Sequence, residues 1–328
     1  RSTYIGNSNS TTNAFISAQP TMESTMSGTV LILGASGRFG RHAAEAFWNR
    51  GWQVRTFDRA NDDLEMVAEG ADVIVNAWNP PYTEWARKIP ELTQRVIEAA
   101  RTCGATVLIP GNVYVYGRDA HELFTEDTLQ LAENPLGRIR IEMEAAYAQA
   151  DVQTIILRAG DFIDTEASGN WFDGVITAKS ARGIFTAPGN PDVPHAWAFL
   201  PDMARAAVQL TERREHLDRF EVVPFIGFTL TLRGLSKLVE AATGRSQRIR
   251  RFPWIALWLA SPFWHMGRHL VEMSYLWSKP HRLDDSKFKR LLPNFRATAP
   301  LIAIASVFQD QIHPDQPVPG SLNHVATE

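Results

Sequence analysis

The sequence predicts an α/β chain built on a doubly wound parallel sheet, and three observations carry that expectation. Short β-rich runs alternate with helical runs from Thr29 to about Gly160. The first run, TVLILGA (29–35), is continuously apolar, as a strand covered on both faces should be. Several helical runs end on glycine, the residue that most readily closes a helix in left-handed backbone. Strand–helix alternation of this kind implies parallel strands joined by right-handed crossovers.

The elements follow in order. RHAAEAFWNRG (41–51) predicts a helix closing on Gly51, QVRTFD (53–58) a strand, and DDLEMVAEG a short helix ending on Gly70. ADVIVNA (71–77) is a strand. PELTQRVIEAARTCG (90–104) is a helix with Pro90 in its first turn and Gly104 at its end. ATVLIPG (105–111) is a strand, LGRIRIEMEAAYAQA (136–150) a helix and VQTIILRAG (152–160) a strand. Beyond 160 the regularity fades. HAWAFLPDMARAAVQL predicts a strand, a turn and a helix from near Pro201; FEVVPFIG is a strand and TLRGLSKLVEAATG (231–244) a helix. The expected organisation is a leader over 1–27, a sheet core over 28–165, the rest of the core interleaved with a small substrate lobe over 166–310, and a tail over 311–328. That lobe should sit over the sheet's carboxyl edge, where open α/β sheets bind ligands.

Composition narrows the function classes. Of 328 residues, 45% are hydrophobic and 21% charged, an ordinary globular balance. The net charge of −3 gives no reason to expect nucleic acid. A single cysteine, Cys103, excludes a disulfide framework and a cysteine-based metal site; it reads as a buried small residue. No metal is expected, and the cytoplasm is the expected compartment. Residues 1–25 are polar, with no apolar signal-peptide stretch, and read as a tag remnant or disordered leader. No apolar run reaches the ~18–20 residues that span a bilayer.

Directly after the first strand comes GASGRFG, with Gly34, Gly37 and Gly40 spaced G-x-x-G-x-x-G. Gly34 permits the tight turn, Gly37 lets backbone approach a pyrophosphate, and Gly40 lets the helix pack close to the strand. A helix N-terminus there offers free N–H groups to phosphates. A glycine triplet alone is a weak signal, but one set between an apolar strand and a helix points to a dinucleotide. The expected contacts are Gly34, Ser36, Gly37, Arg38, Phe39 and Gly40, with Asn76 and Ala77 after the third strand. Asp58, 24 residues after Gly34, suits the ribose hydroxyls of NAD, whereas Arg38 or Arg59 could fork onto the 2′-phosphate of NADP. Asp58 would repel that phosphate, so NAD is favoured over NADP.

GASGRFG, VNA at the third strand and GNVYVYG (111–117) resemble the atypical and extended short-chain dehydrogenase/reductase superfamily, close to its NAD-dependent epimerase/dehydratase group. HAWAFLPDMARA and SKPHRLDDSKFKRLLPNF resemble later landmarks of that group, so the resemblance runs from Thr29 to about Phe308. It implies a Rossmann-type sheet, a nicotinamide cofactor and a serine, tyrosine and lysine that move the proton. Here the pattern departs. Asn112 stands at the serine position, Leu136 at the tyrosine position and Arg140 at the lysine position. Leu136 and Arg140 share one helical face at i,i+4, but leucine transfers no proton and arginine does not titrate. Replacement candidates are Tyr114 and Tyr116, whose phenols beside Arg140 are expected to have lowered pKa values, with Asn112 as a neutral donor. Packing is the competing expectation for Tyr116. His195 is a further candidate acid beside a structural reading, and Asp202 reads as a helix-start residue.

The loop NAWNPPYTEW (76–85) is expected either as packing or as a pocket wall through Trp78, Tyr82 and Trp85. The stretch from Phe252 to Trp277, the most apolar of the chain, suits a lid, a pocket lining for an apolar substrate or an oligomer interface. Membrane attachment through it is set aside, because it lacks a lysine-rich polar face. The leading expectation is an NAD(P)-dependent oxidoreductase acting on an apolar carbonyl or hydroxyl compound. A redox-inactive cofactor sensor is the alternative, and an epimerase or dehydratase the third. A small-molecule substrate is the expected partner, and a homodimer is left open.

Overall fold

The computed structural model describes residues 27–309. The leader and tail expectations lie outside these residues, apart from Ser27. The strands are β1 (Thr29–Leu33), β2 (Gln53–Thr56), β3 (Val73–Asn76), β4 (Thr106–Asn112), β5 (Leu123–Phe124), β6 (Thr154–Ala159), β7 (Asp161–Ile163), β8 (Ile184–Ala187), β9 (His195–Phe199), β10 (Phe220–Pro224), β11 (Phe228–Leu230), β12 (Arg248–Arg251) and β13 (Arg282–Leu283). The α-helices are α1 (Arg38–Asn49), α2 (Leu64–Ala68), α3 (Trp85–Cys103), α4 (Pro135–Gln149), α5 (Leu200–Thr211), α6 (Leu232–Thr243), α7 (Trp254–Ala260), α8 (His265–Glu272), α9 (Ser286–Leu291) and α10 (Pro300–Val307).

Six parallel strands form the central sheet in the order β10-β6-β4-β3-β1-β2. Successive side chains of a strand point to opposite faces, so each strand feeds two cores. Leu31, Leu33, Ile74, Val107 and Ile156 enter the core under α3 and α4. Val30, Ile32, Val73, Val75, Leu108, Ile155 and Leu157 enter the core under α1 and α5. This two-sided burial is what the continuous apolar runs anticipated. The switch point, where the strand order reverses, lies between β1 and β3, and the loops after these two strands carry the expected cofactor residues.

Small sheets (β11-β9-β7 and β12-β8) and helices α6 and α10 build the lobe beyond 160, around a third core that includes Phe172, Phe185, Trp197 and Trp277. Three boundaries differ from the expectation. α1 begins at Arg38, three residues before the apolar pattern shows it. α3 begins at Trp85, which places Pro90 in the helix interior and not in the first turn. A 3-10 turn at Tyr82–Glu84 leads straight into α3, so the helix starts before its proline. β2 ends at Thr56, which leaves Asp58 in the following turn. Cys103, expected to be buried, is only half-buried.

One buried ion pair ties the two layers beneath the carboxyl edge. Arg158 of β6 meets Glu144 of α4 through two hydrogen bonds of 2.5 and 2.7 Å, and both side chains are almost wholly buried. Arg158 also donates to the Asn112 carbonyl at 2.9 Å, and Gln130 donates to Glu144 at 2.6 Å. Burial by itself would lower the Arg158 pKa, but the adjacent Glu144 charge and hydrogen bonds hold it above the ordinary guanidinium value. Removing one partner strands a buried charge. Glu144→Gln should therefore destabilise the fold by about 3–5 kcal/mol, read from the midpoint of urea unfolding; a loss below about 1 kcal/mol would contradict this role.

Candidate active site

The glycine loop has the geometry its spacing anticipates. Gly34 takes φ +81°, a left-handed backbone that side chains other than glycine resist. A Cβ on Gly40 would stand 2.1 Å from the Gly34 carbonyl oxygen, so only glycine lets α1 start this close to β1. Gly37 is the N-cap of α1 and supplies no side-chain acceptor, and the first turn holds no acid. The leading amides of the 12-residue helix α1 are thus unspent and available to an anion. Ser36 is exposed in this loop, while the Phe39 side chain is buried in the core and offers only its backbone.

Other expected cofactor contacts are placed less simply. Arg38 does not reach toward Asp58. Its Nε and Nη2 donate to the Ser168 and Gly169 carbonyls at 2.9 and 2.8 Å, fastening a neighbouring loop to the start of α1. Arg41 and His42 of the same helix hold Asp164 of that loop, His42 at 2.8 Å. Asp58 is exposed, and its carboxylate accepts from the Ala60 amide (2.9 Å) and the Asn61 side chain (2.7 Å), which hold its carboxyl below the ordinary range. Arg59 is exposed beside it. Asn76 is buried and donates to the Tyr147 hydroxyl at 3.0 Å, so its amide faces inward. The Ala77 carbonyl lies against Gly34, where a Cβ would be 3.1 Å away; the loops after β1 and β3 therefore touch at the switch point.

At the ends of β4 and β6 the structure separates the proton-transfer candidates. Asn112 accepts from the Tyr114 amide at 3.0 Å and caps the 3-10 turn Val113–Tyr116. Tyr116 is buried, stacked on Phe124 with ring centroids 4.1 Å apart, and its pKa is raised by burial. It is a packing residue, not a site residue. Tyr114 is half-buried, and its hydroxyl lies 2.7 Å from the Tyr82 hydroxyl. Burial raises the pKa of both, that of Tyr114 well above the phenol range. The expectation of a lowered phenol pKa is therefore wrong: desolvation outweighs the attraction of Arg140.

Leu136 is fully buried, and its amide donates to Glu272 at 2.8 Å. Arg140 is buried four residues on. Its guanidinium sits 4.1 Å from the Trp85 ring, one Nη donates to Asn79 at 2.9 Å, and its Nε has no partner. Burial lowers its pKa. This cation acts on both phenols, as does Asp161, which is half-buried. The charge of Arg38 also acts on Tyr82, so the glycine loop and the phenol pair lie within electrostatic reach of each other. Tyr82 and Trp85, weighed as packing or as pocket wall, lie against Tyr114 and Arg140. Asp161, Asn79 and Glu272 were missed. Only Asp161 had a signal: an acid two residues beyond the end of a parallel strand lies where such sheets bind ligands.

His195 is buried, 2.7 Å from Asp161, stacked flat on Trp277 and 4.4 Å from the His281 ring. It is packed and orients Asp161. Asp202 stands in the first turn of α5 and accepts from Thr298 and Arg205, as a helix-start residue.

The model of the NAD dependent epimerase/dehydratase family matches residues 30–223. No curated protein matches the chain. Solved structures share the fold. MoeE5 in complex with UDP-glucose and NAD is 17% identical with a TM-score of 0.67, covering 88% of this chain and 99% of that one. UDP-glucuronic acid 4-epimerase from Bacillus cereus, with UDP-glucuronic acid and NAD, is 16% identical with a TM-score of 0.65, covering 87% and 99%. Human epimerase family protein SDR39U1 with NADPH is 16% identical with a TM-score of 0.68, covering 86% and 99%. No helix among the described residues is long and apolar enough to cross a membrane.

Burial also sets a pH dependence beside the site. His281 is fully buried, its Nδ1 faces the Lys279 carbonyl at 3.0 Å, and burial pushes its pKa from 6.5 down to about 3. Between these values the unfolded chain binds the proton and the folded chain does not. Stability from this group is therefore complete above pH 6.5 and lost as pH falls toward 3. The slope is up to about 1.4 kcal/mol per pH unit. His281→Gln should flatten the fall of unfolding free energy between pH 6.5 and 4, and an unchanged slope would refute the assignment.

Proposed function

We propose that this chain, which belongs to the NAD dependent epimerase/dehydratase family, is a nicotinamide-dinucleotide-dependent carbonyl reductase whose proton donor is the Tyr82–Tyr114 pair. The observation that carries this reading is the 2.7 Å contact between the two hydroxyls beside buried Arg140, at the carboxyl edge of the sheet. The residues present fit the cofactor: Gly34, Gly37 and Gly40 clear the space, and the uncapped α1 amides supply the anion site. Asp58 favours NAD, and Arg38, tied to the 168–169 carbonyls, adds little to the case for NADP.

A bound reduced nicotinamide would supply the hydride to a carbonyl carbon. The chain supplies the rest. Tyr114 donates a hydrogen bond to the carbonyl oxygen and then its proton, with Tyr82 as the second phenol of the relay. Arg140 gives a fixed positive charge to the developing oxyanion. The raised phenol pKa values keep both hydroxyls protonated at neutral pH, so the site holds hydrogen-bond donors and no standing phenolate base. An epimerase or dehydratase must also remove a proton, so the lack of a standing phenolate weighs against those chemistries. Trp85, Tyr82 and Tyr114 around the cation suit an apolar or aromatic carbonyl compound. A cofactor-sensing protein without turnover is the second reading, favoured by the burial of Leu136 where the family's tyrosine would stand.

Titration with NADH and with NADPH, read by energy transfer from the tryptophans, tests the first step; failure of both to bind refutes a dinucleotide site. Tyr114→Phe should lower kcat on an aromatic carbonyl by about 100-fold or more without changing cofactor binding. Full turnover in the Tyr82→Phe, Tyr114→Phe double variant would sink the phenol assignment. Saturable binding with no turnover on any carbonyl would favour the sensor. The wild-type kcat should stay flat from pH 6 to 9, because neither phenol releases its proton below the ordinary phenol value of 10.

A further inference from the structure

Helices α7 and α8 form a hairpin whose outer face no other element among the described residues covers. α7 has no buried residue. Its inner side chains are Trp254, whose indole donates to the Pro188 carbonyl, and Leu257, which lies against Gly267 of α8. Its outer side chains project into solvent: Ile255 is 78% exposed, Trp258 63% and Leu259 62%, and at the turn Phe263 is 94% and Trp264 48% exposed. These are the most concentrated exposed large apolar residues among the described ones, and an apolar patch of this kind marks a binding surface. Arg268 donates to the Ser261 and Pro262 carbonyls and so holds the turn that presents Phe263.

The charge around this tip is one-sided. From residue 241 to 271 there is no aspartate or glutamate, and there are five arginines: Arg245, Arg248, Arg250, Arg251 and Arg268. All five are exposed, and three of them lie on β12, which enters α7 through Phe252 and Pro253. The sequence reading set membrane contact aside because the apolar segment carries no basic face of its own. The preceding strand supplies that face, as arginine.

We propose that the α7–α8 tip docks on an anionic lipid surface, inserting Ile255, Trp258, Leu259 and Phe263 among the acyl chains with the β12 arginines on the headgroups. Apolar side chains ending in tryptophan suit the bilayer interface, and a basic border adds attraction to anionic lipid. A symmetric contact with a second copy would place the same arginines against one another, with no acid in the segment to pair them. A cleft of about 270 Å³ lined by Trp254, Ile255, Trp258, Val271 and Ser274 opens on this side of the hairpin. α8 also carries His269 to the Tyr82 ring, with centroids 6.4 Å apart, so a docked tip places the candidate site close to the lipid. The docking does not rest on the reductase reading.

The test is sedimentation of the full chain with large unilamellar vesicles of pure phosphatidylcholine and of phosphatidylcholine containing roughly one-third phosphatidylglycerol, in about 0.1 M salt. Retention on the anionic vesicles and much less on the neutral ones is expected. The Trp258→Glu, Phe263→Glu variant should lose roughly tenfold or more of it. Arg250→Ala and Arg251→Ala should each lose about fivefold. Because every substituted side chain is exposed, unchanged melting temperatures and circular dichroism should accompany the loss. Absence of retention on anionic vesicles, or retention indifferent to the paired glutamates, overturns the proposal. So does a concentration-dependent dimer that the glutamates abolish without any vesicle retention, which would assign the tip to a second copy.

Discussion

The Arg158–Glu144 pair is the constraint on which the candidate site depends. Arg158 leaves the sheet near the end of β6 and is bound by a carboxylate from α4 and a carbonyl from the end of β4. Those contacts set the distance between three elements. α4 brings Leu136 and Arg140, the end of β4 brings Asn112 and Tyr114, and β6 leads into Asp161. A buried pair of this kind contributes little net stability over an apolar substitute, but it is costly to break singly, which makes it a strict spacer. Gly137 completes the fit: a Cβ there would come within 2.8 Å of the Tyr114 carbonyl, so α4 can lie against the 3-10 turn only without one.

Desolvation then decides the chemistry that this spacing permits. In the resembling superfamily a lysine beside a tyrosine is expected to lower the phenol pKa. Here a buried arginine lies on the Trp85 ring, and the Tyr82 and Tyr114 phenols are packed against aromatic neighbours. Burial outweighs the cation, so both phenols keep their protons. At neutral pH the site therefore presents two hydroxyl hydrogen-bond donors and no standing phenolate. The same physics makes His281 neutral beside it, while His195 orients the half-buried Asp161.

The lobe beyond 160 serves two purposes with one set of residues. Its inner aromatic side chains pack around Trp277 and His195 and support the carboxyl edge. Its outer ones, at the α7–α8 tip, are exposed among the described residues. Composition could not separate these groups, since Trp277 at 3% exposure and Phe263 at 94% belong to the same apolar stretch. The division follows from helix geometry: in a short hairpin, residues three or four apart share a face, and only one face can meet the core.

The sequence by itself determined the sheet, its parallel sense and the glycine loop, and it places a leucine, Leu136, at the start of α4. Those features are local: an apolar run, a glycine spacing and a residue type need no partner from elsewhere in the chain. Only the tertiary structure decided what each tyrosine touches. Tyr114 and Tyr116 sit two residues apart in one motif, yet one meets Tyr82 and the other Phe124. It also decided that Arg38 serves the 168–169 loop and that Asp161, Asn79 and Glu272 converge on α4 and the phenols. Apart from Tyr116 with Phe124, such pairings join residues 32 to 136 positions apart. They are fixed by packing and desolvation, which depend on what surrounds a side chain and not on what precedes it in the chain.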